Sequence, residues 1–208
     1  MSINMRMCVL SVCMVAVVYQ VEVYSQSYEQ RVSNGVELHD AVEASGADEE
    51  PLARALVEEW IQIEKEFAEP LVWAYLGSSW NLLARDSSNV LIQVDAVGKA
   101  TQYLDRAVEL DPDNIVIRRI RYANYLELPE FFGKEAVAAE DLDYLIRVYR
   151  DDPQRFEGVY DPAHLLFSRA RLERRHNNSD RATGLARTAL RMAYEANLIS
   201  EIEEFLGM

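Results

Sequence analysis

The stretch KATQYLDRAVELDPDN, residues 99–114, decides how the rest of the chain is interpreted. Ala100, Leu104 and Ala107 recur at spacings of four and three, which places them on one face of an α-helix. Pro112 cannot continue a helix, so this helix is predicted to end just before it. The stretch therefore predicts an amphipathic helix with an abrupt end.

The same periodicity extends through the chain. From Val36 onward apolar residues recur at spacings of three and four, and almost no segment alternates with a period of two, so the chain is predicted to be all-α. Ser200 and Glu203 stand in capping-box spacing, which predicts a short final helix packed back on the core. Helix-breaking residues separate the predicted helices at Ser45-Gly46, Pro70, Asp86–Asn89, Pro112, Pro129 with Gly133, Pro153, Pro162 and His176–Asp180.

A second stretch, WAYLGSSW at residues 73–80, indicates how these helices pair. It fits the first-helix pattern of the tetratricopeptide repeat, with Trp80 where the pattern has Tyr, and residues 99–114 fit the second-helix pattern. Residues 117–145 and 162–190 resemble the same unit in a more degenerate form. About two thirds of the chain thus resembles tetratricopeptide-type helical repeat proteins.

This resemblance implies antiparallel helix pairs stacked as a short right-handed superhelix, with a concave groove that binds a protein or peptide. Small residues at the predicted helix contacts fit such close packing; they are Gly77, Ala100, Ala107, Ala170 and Ala182. By the geometry of the family, the residues expected to face the groove are Tyr75, Ser78 and Asn81 in the first pair, Arg119 in the second, and His164, Phe167 and Arg171 in the third.

The N-terminus has the layout of a secretory signal peptide. One positive charge precedes an apolar run over residues 8–18, and polar residues follow it. Cleavage is predicted after Ser25, which leaves a flexible segment at 26–35 and a single helical domain at 36–208. A retained membrane anchor is the alternative, but the run is about half of the ~20 apolar residues that a bilayer crossing needs.

Composition limits the compartment and the partners. Both cysteines lie within the apolar run, so the mature chain would hold no thiol, which suits a bacterial periplasm. The formal net charge of -14 argues against nucleic-acid binding and against adhesion to anionic lipid.

Candidate catalytic and metal sites are weak in the sequence. Asp105 and Glu109 are predicted to lie on the solvent side of their helix, and the three histidines lack mutual spacing for metal ligation. No cofactor or metal is therefore predicted. Arginines crowd residues 118–121 and 169–175, and an arginine fork suits capture of a carboxylate, such as an acidic peptide or a chain terminus.

The sequence therefore predicts an exported, non-enzymatic adaptor that binds a protein or peptide. Two alternatives stay open. One is a helical enzyme of unknown class that uses the Arg and Tyr side chains of residues 118–125, and the other is a soluble partner of an outer-membrane assembly machine.

Overall fold

The computed structural model describes residues 3–46, 49–158 and 160–208, with side chains from Tyr24 onward. Within these residues the structure contains helices and no strand, so the all-α prediction is confirmed. The helices are α1 (Ile3–Ala44), α2 (Glu50–Glu66), α3 (Pro70–Asp86), α4 (Val90–Leu110), α5 (Ile115–Glu127), α6 (Glu135–Asp151), α7 (Ala163–Arg175), α8 (Ser179–Met192) and α9 (Ala196–Leu206). Short 3₁₀ turns at Glu130–Phe132 and Pro153–Phe156 follow α5 and α6.

The helices end where the sequence places turn chemistry. Pro70 occupies the first turn of α3, where its missing N–H costs nothing. Asn114 caps α5, because its Oδ1 accepts hydrogen bonds from the N–H groups of Val116 and Ile117 at 3.1 and 3.2 Å. The predicted cap at Ser200 is wrong: α9 begins four residues earlier, at Ala196, because the apolar face of the helix already starts there.

The chain divides into two compact units, residues 1–100 and 101–208, whereas the sequence predicted one domain over 36–208. The boundary falls within α4. The predicted signal peptide, residues 1–25, lies almost entirely outside the described side chains. A search of the described residues for a membrane-spanning helix found none with the necessary length and apolar character.

In the first unit, α2 and α3 form a helical hairpin and the C-terminal part of α1 packs on both. Residues 26–35, predicted to be flexible, are helical here, because Val32 is buried and Gly35 lets α1 approach the ring of Trp60 closely. The Trp60 ring stacks on Tyr75 with a centroid distance of 4.9 Å and an interplanar angle of 4°. This aromatic pair forms the centre of the first core.

In the second unit, α5 and α6 form one hairpin, α7 and α8 form another, and α9 packs on α8. Ala170, Ala182, Ala186 and Ala189 are fully buried, so the two helices of the second hairpin approach closely. All five small residues predicted at helix contacts are buried in the structure. The stacking of the hairpins into a superhelix stays a prediction.

Candidate functional site

The three site residues predicted on α3 belong to the interior of the first unit rather than to an open surface. Tyr75 and Ser78 are buried, and Asn81 is half-buried. Ser78 Oγ lies 2.9 Å from His39 Nε2, and the Tyr75 ring packs edge-on against the His39 ring at 5.3 Å. Because α1 and α2 cover this face of α3, Tyr75 and Ser78 have little surface to offer a partner.

Phe167 and Arg171 of α7 also have partners within the second unit. Phe167 is buried and packs edge-on against Phe205, with ring centroids 5.3 Å apart. Arg171 Nη2 lies 3.3 Å from Glu127 Oε1 in an exposed ion pair. Phe167 thus has little surface to offer a partner, whereas Arg171 is exposed and its ion pair contributes little to stability.

The structure brings the two remaining predicted residues, Arg119 of α5 and His164 of α7, against one ring, that of Tyr160. The guanidinium carbon of Arg119 lies 5.2 Å from the centroid of the Tyr160 ring. The Tyr160 ring stacks on His164 at 5.2 Å, and His164 Nε2 lies 3.2 Å from Glu195 Oε2. We call these three residues the Arg119–Tyr160–His164 row.

Tyr160 owes its position to the connection that precedes α7. The buried carboxylate of Asp161 accepts hydrogen bonds from the N–H groups of Ala163 at 2.9 Å and Tyr194 at 3.4 Å, which fixes the start of the helix. The Tyr160 and Tyr122 hydroxyl groups lie 2.5 Å apart. Burial raises the pKa of both phenols, so both are neutral at physiological pH. The sequence analysis missed Tyr160, although the Asp-Pro pair after it signals a capped helix start.

A cavity of about 10 Å³ borders two residues of the row, Arg119 and Tyr160. That volume holds about one water molecule and is far below the roughly 300 Å³ of a small-molecule site. The residues that line it are Ile115, Arg119, Leu145, Phe156, Tyr160 and Leu165.

Arg119 is the charged residue of this lining. Its Nε is sealed from solvent and, across residues 49–158 and 160–208, finds no hydrogen-bond acceptor. A guanidinium nitrogen that is buried without an acceptor has lost its hydration and gained no hydrogen bond, which is costly.

Other arginines of the second unit already have carboxylate partners in the chain. Arg169 pairs with Asp143 at 3.0 Å, Arg175 pairs with Glu135 at 3.2 Å, and Arg181 pairs with Glu173 at 3.1 Å. Much of the positive charge that the sequence places in this unit is thus neutralised internally, which distinguishes Arg119 from these neighbours.

A buried ion network also holds Arg118 and Arg121, which the alternative of a helical enzyme would use. The carboxylate of Asp141 is fully buried and accepts hydrogen bonds from Arg118 Nη1 at 2.5 Å, Arg121 Nε at 2.7 Å and Arg121 Nη2 at 2.9 Å. The sequence analysis missed Asp141, although it lies three residues after Ala138 and four before Leu145 on the buried face of α6.

Asp105, predicted to face solvent, joins this network through three donors. The Tyr125 hydroxyl donates to Oδ1 at 2.7 Å, Arg121 Nη1 donates to the same oxygen at 3.2 Å, and Lys134 Nζ donates to Oδ2 at 3.0 Å. Burial, followed by the bond to Asp105, raises the pKa of Tyr125 far above its ordinary value, so this phenol is a donor and not a base. The network therefore connects α4, α5 and α6 within the second unit.

In comparisons with known proteins, no family model, no curated protein and no solved structure matches the chain.

Proposed function

We propose that this chain is an exported, non-enzymatic helical scaffold of the tetratricopeptide-like type, and that it binds a protein or peptide through a carboxylate. The observation that carries the proposal is the state of Arg119, whose Nε is buried without an acceptor and whose guanidinium has no ion pair in the described second unit. A carboxylate bound at the surface would supply a counter-charge for the guanidinium without having to reach the sealed Nε. The charge of the half-buried Arg119 is then compensated when the partner binds.

The neighbours of Arg119 favour a peptide over a small metabolite. The cavity that borders the row has room for about one water, so a ligand must lie across the surface rather than enter the core. Tyr160 and His164 provide adjacent aromatic faces, and the exposed ring of Tyr194 lies on the chain next to Glu195, the hydrogen-bond partner of His164. Aromatic side chains beside an arginine are typical of the energetic centre of protein interfaces.

The helical hairpins support the scaffold part of the proposal. In both hairpins of the second unit, alanines at helix contacts are fully buried, including Ala138 in α6 and Ala170 in α7. Close helix pairs of this kind are the building unit of helical repeat proteins, which present one face of successive helices to a partner. Stacking of these pairs around a groove is part of the proposal.

Export is supported by the N-terminal sequence pattern and is compatible with the packing of α1. Cleavage after Ser25 leaves Tyr28 in edge-on contact with Phe67, with centroids 5.4 Å apart, and leaves Val32 and Gly35 in the core of the first unit. The test is mass spectrometry of the protein recovered from the envelope of a bacterial host. A mature chain that begins at Gln26 supports the proposal, and an unprocessed chain in the cytoplasm contradicts export.

Binding is tested by quantitative affinity capture from bacterial envelope extract with wild type, Arg119→Gln and His164→Gln. Arg187→Gln is the matched control, because Arg187 is exposed on α8 of the same unit. We expect a stoichiometric protein that the wild type and the control retain and that Arg119→Gln loses at least tenfold, because the charged partner of the carboxylate is removed. Circular dichroism and thermal unfolding verify that each variant is folded. Equal retention by Arg119→Gln and wild type would refute the proposed binding mode.

A further inference from the structure

The last two turns of α1 bring a histidine and two carboxylates together. His39 Nδ1 lies 3.7 Å from Asp40 Oδ1 and 4.0 Å from Glu43 Oε2. The three ligand atoms offered by these side chains all lie within 4.8 Å of one another. The cluster belongs to the first unit and shares no residue with the Arg119–Tyr160–His164 row.

His39 is oriented by contacts on its other side. Its Nε2 lies 2.9 Å from Ser78 Oγ, and its ring packs edge-on against Tyr75 in the buried aromatic core. The imidazole is almost completely buried, whereas Asp40 and Glu43 have side chains that are 71% and 66% exposed. The nitrogen ligand is therefore fixed in place, and the two oxygen ligands are free to adjust.

The contacts of His39 resemble those of a histidine that binds a metal ion. In such sites a histidine that binds a metal through one ring nitrogen usually donates a hydrogen bond from the other, which sets its tautomer and orientation. Ser78 Oγ is in position to accept that bond from Nε2 when a metal occupies Nδ1, the ring nitrogen nearer the carboxylates. One imidazole nitrogen with two carboxylate oxygens is a donor set that divalent transition metals accept.

We propose that His39 Nδ1, Asp40 and Glu43 bind a divalent transition-metal ion, with zinc as the probe, and that water completes the coordination. Ligands about 2.1 Å from a tetrahedral zinc ion lie roughly 3.4 Å apart. The carboxylate oxygens, now 3.7 and 4.0 Å from Nδ1, reach that separation by shifts of a few tenths of an ångström in exposed side chains.

The local electrostatics favour a cation. Two carboxylates face the imidazole, and the C-terminal end of α1 contributes the negative end of the helix dipole. The positive charge of Arg85 opposes cation binding, because its Nη2 donates hydrogen bonds to the carbonyl oxygens of Val42 and Gly46 at the end of α1, at 3.2 and 2.7 Å. The buried carboxylate of Asp86 pairs with Arg85 at 2.6 Å and offsets this charge.

The test is isothermal titration of the untagged, chelator-treated full chain with zinc chloride. We expect one saturable site of highest affinity in the wild type and at least a tenfold weaker site in the double variant Asp40→Asn, Glu43→Gln. Both side chains are exposed, so the double variant is expected to fold. Glu37→Gln is the matched control, because Glu37 is also exposed on α1 and should leave the titration unchanged.

Two other histidines also lie near carboxylates and need a separate control. His164 lies 3.2 Å from Glu195 and His176 lies 3.3 Å from Glu135, so both are replaced by Gln in a second background. The highest-affinity site must survive in that background, and zinc must raise the thermal unfolding midpoint there.

Absence of saturable binding, or equal affinity in the wild type and the double variant, would overturn the metal assignment. The cluster would then be a buried histidine beside two exposed carboxylates, with a structural role only. Because titration with zinc requires no partner protein, this result is independent of the test of Arg119.

Discussion

Replacement of Asp141 by Asn should destabilise the second unit by about 3 kcal/mol. The carboxylate is fully buried and accepts three charged hydrogen bonds, at 2.5 Å from Arg118 and at 2.7 and 2.9 Å from Arg121. Removal of one partner from a buried ion pair costs about 3–5 kcal/mol, because the remaining charge is left uncompensated. The side chains of Arg118 and Arg121 are 16% and 11% exposed, so water recovers part of that cost and the lower end of the range applies.

The assay is urea unfolding of the full chain, followed by circular dichroism, with the free energy of unfolding of wild type and variant extrapolated to water. Asp143→Asn is the matched control, because Asp143 lies on the same helix, pairs with Arg169 at 3.0 Å and has a side chain that is 56% exposed. Arg169 keeps a second carboxylate partner, Glu173 at 3.2 Å, when Asp143 is replaced, so the control should change stability by about 0–1 kcal/mol. A loss for Asp141→Asn that is no larger than the loss for the control would refute the reasoning.

Three further predictions concern close packing and ionisation. Gly35→Ala should destabilise the first unit by about 1–2 kcal/mol, because an added Cβ would lie 2.9 Å from a buried tryptophan ring carbon of α2. At Gly184 nothing lies within 4 Å of an added Cβ, so the better helix propensity of alanine should stabilise the protein by up to about 1 kcal/mol. Thermal unfolding of the two variants distinguishes the two signs. Ala138→Leu should cost about 1–3 kcal/mol because that side chain is fully buried, whereas Ala136→Leu at an exposed position of the same helix should change the urea midpoint little. Burial and the bond to its carboxylate partner raise the pKa of Tyr125 in the folded state. Its contribution to the free energy of unfolding is therefore complete below the ordinary phenol pKa and falls by about 1.4 kcal/mol per pH unit above it. Tyr125→Phe should flatten the alkaline decline in unfolding free energy by that amount, and an unchanged slope would contradict the burial argument.

Much of the local structure could be predicted from the sequence because its causes are local. A proline at position 70 removes a backbone donor wherever the chain goes, so it marks a helix start without knowledge of the neighbours. Fully buried alanines such as Ala170 and Ala182 follow from helical periodicity combined with small side chains. These features predict helices and hairpins, but not what covers their outer faces.

The candidate site was harder to predict because it depends on contacts between distant segments. Tyr75 and Ser78 were expected to face a groove from the geometry of the repeat family, and the pattern of α3 alone does not show that α1 covers them. Asp141 could be recognised as an acid on an apolar face, but periodicity does not show that Arg118 and Arg121 meet it from α5.

The aromatic stack of Trp60 on Tyr75 has a practical consequence for spectroscopy. All three tryptophans of the chain lie within residues 1–100, so indole emission reports on the first unit and is silent about the second. Exposure of the buried Trp60 ring to water should shift that emission to longer wavelength. Unfolding of the second unit can then be followed in the unlabelled protein as the part of the circular dichroism change that indole emission does not share.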